Sequence, residues 1–317
     1  MPIHLIESNR STILLQTMAK YLGAPRLFET QHVIVPGRHW FSPVKEALIQ
    51  RYGAFFQIEI QTFDAFVAEV LKIHAPQKTL ANPDNLAITI FLHLTQTNIL
   101  QEPVFSSLHT YLLQDGYDID RNVTWQVSRH VGELFVRYAM QHPELTMLWR
   151  TGKQATTSAL EAWQKELFLR VTEDPQKNTN QPVFAVEWIR EHLQPCDVAM
   201  QLHVVIPPDI ATAELLLYSW LAQTSDVFCY FPTPSREFFE QAQRRSFLQQ
   251  LSDNHPLLDA WGALFAHSVA QVHELSNYDS EMLFEEPATS TTLGGLQVGI
   301  LENQPTISAS LDESLRI

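Results

Sequence analysis

The chain has 317 residues, a formal net charge of −14 at pH 7 and two cysteines, Cys196 and Cys229. That length buries a sizeable core and suggests two lobes, while apolar stretches such as "AELLLYSWLA" fall well short of the roughly 20 residues that span a bilayer. Two thiols without metal-ligand spacing exclude a disulfide framework, and with no basic, apolar-cored leader the expected compartment is a reducing cytoplasm with no membrane contact.

The acids concentrate after about residue 180, whereas the first sixty residues are slightly basic. Non-specific affinity for nucleic acid comes mainly from phosphate neutralisation, so an acidic body repels DNA and only the N-terminal third favours contact.

In chain order, "PIHLIESNRSTILLQTMAKYL" reads as a strand over Ile3 to Ile6, a polar turn, and a helix with Ile13, Leu14, Met18, Tyr21 and Leu22 on one face. In many nucleotide-binding α/β proteins this first turn is glycine-rich and cradles phosphate. Here it is "ESNRS", with no glycine, no "GK[ST]", and Glu7 where phosphate would be repelled. "QHVIVPG" reads as a second strand, "SPVKEALIQRYG" as a helix ended by Gly53, and "FFQIEIQ" as a third strand, the alternation of a parallel sheet flanked by helices.

From "TFDAFVAEVLKI" to "FAVEWIREHLQP" nearly every segment has helical spacing, interrupted by the loop-like "EDPQKNTNQP". Residues 85–193 are therefore expected to form an all-helical subdomain inserted into an α/β domain made of 1–84 and 194–317. Strands resume with "LHVVIPP" and "DVFCYF" around the helix "TAELLLYSWLAQ". Helices are expected over "SREFFEQAQRRSFLQQL" and "PLLDAWGALFAHSVAQVHEL", then an acidic loop, "SNYDSEMLFEEPATSTT", and a helix at "LGGLQVGILEN". The closing "SLRI" reads as a strand that starts and stops, the mark of a piece of a longer chain.

Catalytic motifs are missing: there is no "HExxH", "GxSxG" or "CxxC", and no Glu-x-Lys tripeptide of metal-dependent nucleases. His267 and His273 lie six apart on a helix and face away from each other, so neither a metal nor another cofactor is expected. The turn after the second strand carries Arg38, His39 and Trp40 near the strand ends, where open α/β sheets bind ligands. Those side chains suit a phosphate and a stacked base; the alternative is a solvated turn with Trp40 in the core. In "DIDRNVTWQVSRH", Trp125 shares a helix face with Arg121 and Arg129, an aromatic between two cations. Trp149, Trp163, Trp188, Trp220 and Trp261 recur with apolar helical neighbours and are expected in the core, and Arg244 and Arg245 read as internal counter-charges.

Several stretches together, in order, resemble one family. "IESNRSTILLQTM", "VIVPGRHWFSPVKEALIQRYG" with "QTFDAFVAEVL", "GELFVRYAMQHPELTMLWRTG", "AWQKEL", "HVVIPPDIATAELLLYSWLAQTSDVFCYFPTPSREFF", "HPLLDAWG" and "LQVGIL" are similar to the N-terminal part of the RecC family, the gamma chain of exodeoxyribonuclease V. The resemblance implies a superfamily 1 helicase-like domain that has lost its ATP site, with an inserted helical subdomain. It also implies partners: the beta helicase-nuclease subunit, the alpha helicase subunit, and single-stranded or forked DNA. On that reading Asn9, Arg10, Arg38, His39, Trp40, Arg121, Trp125 and Arg129 are the candidate DNA-contacting residues, and catalysis belongs to the partner subunits. The turn Pro36, Gly37, Arg38, His39 and Ser42 departs from the amide and hydroxyl side chains of hotspot-reading members. Two other readings stand beside this one: a purely architectural module docking a basic partner surface, and a nucleoside-triphosphatase with a divergent loop, which no side chain here equips to neutralise a transferring phosphate.

Overall fold

The computed structural model describes residues 3–23, 30–54, 57–114, 118–172, 182–198, 200–236, 257–258, 268, 270–272, 278–287 and 291–304. The chain divides into two compact units, one over Met1–Phe63, Pro195–Ile210 and Tyr218–Ile317, the other over Asp64–Gln194 and Ala211–Leu217.

The first unit is built on a six-stranded sheet of β1 (Ile3–Ser8), β2 (Gln31–Val35), β3 (Ile58–Thr62), β4 (Leu202–Val205), β5 (Val227–Pro232) and β6 (Tyr278–Met282). Their order is β6-β1-β5-β4-β2-β3, and every pairing is parallel. Helices α1 (Ser11–Leu22) and α2 (Phe41–Tyr52) follow β1 and β2. Their apolar stripes, Leu14, Leu15, Met18 and Leu22 with Val44, Ala47 and Leu48, join Ile6, Val33, Val35, Val205 and Tyr230 in one core. Alternation sends Leu5, Ile34, Val204 and Cys229 to the opposite face, where they too are buried. Burial on both faces is why these strands read as continuous apolar runs. Gly53 ends α2 at φ +76°, a conformation that side chains with a Cβ resist, and its amide returns to the Ile49 carbonyl.

One strand corrects the sequence reading. Tyr278–Met282, inside the expected acidic loop, is the edge strand β6, in register with β1 from Ile3↔Tyr278 to Glu7↔Met282. "YDSEM" has no apolar alternation because an edge strand meets solvent along one side and carries charge there. Tyr21 of α1 reaches over to donate to Glu281 at 2.7 Å. The helices expected over "SREFFEQAQRRSFLQQL" and most of "PLLDAWGALFAHSVAQVHEL", with Arg244, Arg245, Trp261, His267 and His273, lie outside the described residues.

The second unit is mainly helical, and two short strand pairs, Thr79–Leu80 with Pro182–Val183 and Leu113–Gln114 with Asp118–Ile119, depart from the all-helical expectation; α3 (Phe63–His74, its first residue in the other unit), α4 (Pro83–Leu94), α5 (Ser106–Leu112), α6 (Arg121–Gln141), α7 (Pro143–Arg150), α8 (Ala159–Thr172) and α9 (Ala185–His192) are its principal helices. Asn82 and Asn85 form a reciprocal capping box at the start of α4, with Pro83 in the first turn. Asp120 caps α6 through the amides of Asn122 and Val123. Thr124, Ser128 and Gly132 put a small, buried stripe on α6. A Cβ at Gly132 would sit 2.9 Å from the Pro83 carbonyl oxygen and 3.1 Å from the Ala87 nitrogen, so glycine sets how closely α4 and α6 approach. Trp149 is fully buried, meeting Phe135, Tyr138 and Phe168 edge-on. Trp163 is buried, as its apolar helical neighbours predict; Trp188, and Trp220 in the sheet unit, are only half-buried where the spacing predicts core.

Trp149 donates to a buried carboxylate, Glu161, at 2.9 Å. The Ala155 amide donates to the same oxygen, and the Thr156 amide and hydroxyl donate to the other, each at 2.6 Å. Burial alone would raise this carboxyl's pKa; the Thr156 hydroxyl, the Trp149 indole and the two amides outweigh it and hold the group down at about 2.

Because Glu161 titrates lower in the fold than its ordinary 4.5, its charged form stabilises the fold above that pH by about 3 kcal/mol, and this is lost as pH falls towards 2. Urea unfolding across pH should therefore show Glu161→Gln about 3 kcal/mol less stable than wild type at pH 7, with the gap closing below pH 4.5; a pH-independent gap would contradict this assignment. Gly132→Ala should destabilise by about 1–3 kcal/mol in the same assay despite alanine's better helix propensity, since the atoms it meets are backbone.

Candidate functional site

The C-terminal edge of a parallel sheet is where open α/β folds bind ligands, so the turns after β1 and β2 come first. The turn after β1 is filled by the protein's own chain. On one flank the Thr233 amide, at the end of β5, donates to the Ser8 carbonyl at 2.9 Å. On the other, the segment leaving β6 folds over the turn: the Leu283 amide donates to the Glu7 carbonyl at 2.7 Å, and the Ser8 hydroxyl donates to the Leu283 carbonyl at 2.6 Å.

Asn9 then clamps the next turn of chain by two hydrogen bonds. Its Nδ2 donates to the Glu285 carbonyl at 2.8 Å, and its Oδ1 accepts the Glu285 amide at 3.0 Å. Arg10 pairs with the Glu285 carboxylate at 2.9 Å, both side chains about half exposed. Phe284, between these contacts, lies under the Arg236 guanidinium. Glu7 itself is 3% exposed, and Ser280 donates to it at 3.4 Å. Where a glycine-rich turn would offer free amides to phosphate, this one offers an amide side chain already paired with backbone and a cation already paired with a carboxylate.

After β2, Pro36 and Gly37 lead into a single 3-10 turn, Arg38–Trp40, and then α2. Arg38 and His39 are exposed. Trp40 is half-buried and packs against the α1/α2 core, the plainer of its two expected roles. The His39 ring lies over Gly37, where a Cβ would come within 3.0 Å of Nδ1. Ser42 donates to Glu46 in the first turn of α2. Among the described residues Arg38 pairs with no carboxylate. The strands β5 and β4 stand between β1 and β2, so the two turns are three strand spacings, roughly 14 Å, apart along one edge.

In the helical unit Arg121, Trp125 and Arg129 lie along the exposed side of α6. Trp125 is 40% exposed, and its ring meets that of Phe91 of α4 at nearly a right angle. Arg129 makes only a long contact, 4.0 Å, to Glu133, and among the described residues Arg121 pairs with no carboxylate. Two other arginines of this unit are spent internally: Arg170 grips Glu102 with two nitrogens and also meets Glu166, and Arg150 holds Glu187. The structure thus brings Asn9 and Arg10 together at one turn, Arg38 to Trp40 at a second, and Arg121, Trp125 and Arg129 on a helix of the other unit. Sequence reasoning missed Ser8 and Glu285; an acid in an acidic run has no local signal of a partner.

Chemistry of other kinds finds little support. Burial pushes the Cys229 thiol up to about 12, which removes it as a nucleophile at neutral pH. His203, fully buried, is pushed down to about 3 by burial and is neutral at neutral pH. Among the described residues no group of three or more His, Cys, Asp or Glu side chains is placed to hold a metal ion, and no helix is long and apolar enough to cross a membrane.

Fold and site together define an open, parallel α/β protein in which the turn after the first strand is bonded to its own chain instead of shaped around phosphate. Within that class the chain belongs to the RecC N-terminal domain family, whose model matches residues 3–303. It is 24% identical over 275 residues to the RecBCD enzyme subunit RecC of Mycolicibacterium smegmatis, a match covering 83% of this chain and 24% of that protein. The chain therefore spans about a quarter of the length of this curated relative.

Loss of the Asn9 side chain leaves the Glu285 amide and carbonyl without their partner. Asn9→Ala should lower the unfolding free energy by about 1–3 kcal/mol, measured by urea titration; an unchanged midpoint would mean that the clamp contributes nothing in solution.

Proposed function

We propose that this chain is a non-catalytic, DNA-guiding and scaffold region of a RecBCD-type helicase-nuclease complex acting in double-strand break repair. The observation that carries the reading is the turn after β1, closed by Asn9 and Arg10 on Glu285. The side chains of this turn, Asn9 and Arg10, are already engaged, and a nucleotide's phosphates would meet the Glu285 carboxylate there. The α/β unit is read as an inactivated superfamily 1 helicase-like domain, and the helical stretch, residues 85–193, as its inserted subdomain. Hydrolysis and strand cleavage fall to the beta and alpha subunits of exodeoxyribonuclease V, and the complex works in the cytoplasm.

Single-stranded DNA is the ligand that suits the basic and aromatic side chains left facing solvent. Arg38, next to His39 at the sheet edge, and Arg121 and Arg129, on the exposed side of α6 with Trp125, supply charge for phosphates and a ring for a base. Asn9, Arg10 and Trp40 contribute less directly, each being partly engaged within the fold. A second reading, a purely architectural module without DNA contact, draws on the net charge of −14, which favours a basic protein surface as partner.

Crosslinking of a tailed duplex to the assembled complex separates the two. Combined Arg38→Glu, Arg121→Glu and Arg129→Glu substitutions should cut adducts on this chain at least several-fold and flatten their salt dependence; unchanged adducts would favour the architectural reading. Purified chain should not turn over ATP, and hydrolysis abolished by Arg10→Ala or Arg38→Ala would overturn the non-catalytic reading altogether.

A further inference from the structure

The contacts on Glu285 separate cleanly into backbone and side chain. Asn9 holds the Glu285 amide and carbonyl, Ser8 and Glu7 hold Leu283, and Arg236 covers Phe284, so the course of the segment does not depend on the Glu285 side chain. Among the described residues the carboxylate reaches only Arg10, at 2.9 Å, with the two side chains 50% and 49% exposed. An ion pair this open to water is weak and exchanges readily. Its acceptor, an anionic oxygen pair presented by an anchored backbone, is the same kind of partner to a guanidinium as a phosphodiester. Glu286, next in the chain, is exposed, and the exposed Arg236 guanidinium lies over Phe284, so this segment presents two arginines beside the Glu285 and Glu286 carboxylates.

We propose that Glu285 is a built-in stand-in for phosphate: it occupies Arg10 in the free protein, and a phosphodiester of single-stranded nucleic acid displaces it. This rests on the strand-guiding reading above and adds a threshold to it. A lone phosphate must compete with a tethered carboxylate at high local concentration, so Arg10 favours, by a few-fold, a strand already held elsewhere. The acids that keep loose DNA away also keep the arginine in reserve. On release, Glu285 swings into solvent while Asn9 retains its backbone, so no refolding accompanies the exchange.

Glu285→Gln isolates the proposal, since it removes the charge and leaves the Asn9 clamp; an unfolding midpoint equal to that of wild type verifies this. Binding of a fluorescent oligothymidylate to the full chain is then followed by anisotropy over a salt series. Glu285→Gln should bind about two- to five-fold more tightly, the exchange of one exposed ion pair, with a salt slope steeper by roughly 0.7, one more phosphate neutralised. The gain should vanish in the Arg10→Ala, Glu285→Gln double variant. A gain that survives loss of Arg10 would overturn the exchange and leave only relieved repulsion. Equal affinities of wild type and Glu285→Gln would overturn the exchange while leaving strand binding standing. Absence of binding by both would overturn the exchange and the strand-guiding reading together, whereas binding by Glu285→Gln alone would support the exchange in its strongest form.

Discussion

Two hydrogen bonds between the Asn9 side chain and the backbone of Glu285, one given and one received, set the character of this molecule. A parallel sheet leaves the peptide groups at its strand ends facing a crevice, where they must find partners in ligand, water or protein. Here the protein supplies them. Strand β6 joins the sheet beside β1, and the segment leaving it has nowhere to go but across the β1–α1 turn, where the Asn9 amide mimics a strand partner. The turn after β1 keeps its place at the sheet edge while its side chains are bonded to the protein's own chain.

Carboxylates serve two different ends in the two units. Glu161 is buried and receives four donors, so its charge is compensated and its loop, Ala155 to Thr156, is drawn onto Trp149. Glu285 sits half in water with a single cation, so its charge is held loosely. Desolvation separates the two: a buried charge must be satisfied by several rigid donors or it unfolds the region, whereas an exposed one is nearly free to exchange. The same rule sorts the arginines. Arg150 and Arg170 lie in carboxylate forks, whereas Arg121 and Arg129 edge the exposed Trp125 on the other side of the problem, with charge to offer outward.

Strands and helices with one buried stripe were legible because their signal is local. Leu14, Met18 and Leu22 repeat at the helical period, and "HVIV" and "LHVV" are continuous apolar runs fit for a sheet buried on both faces. The candidate site was legible only by what it lacked, glycines and a lysine at "ESNRS". Strand β6 was hidden because "YDSEM" has neither alternation nor apolar bulk, and it is a strand only because β1 had an open edge beside it. Trp40 read equally well as a base-stacking ring or a core residue, since nothing in "PGRHWF" says which side of the turn faces the sheet.

The sequence by itself determined the α/β rhythm, the helical stretch between its strands, the absence of a phosphate-binding motif and the family to which the chain belongs. All of these are written in periodicity or in short runs of residues. Only the tertiary structure decided that the empty turn is filled from within and that Arg10 has a carboxylate partner. Asn9 and Glu285 lie 276 residues apart. A contact across that separation is selected by which strand ends meet at one edge of the sheet, a geometric outcome of the whole fold that no local pattern encodes.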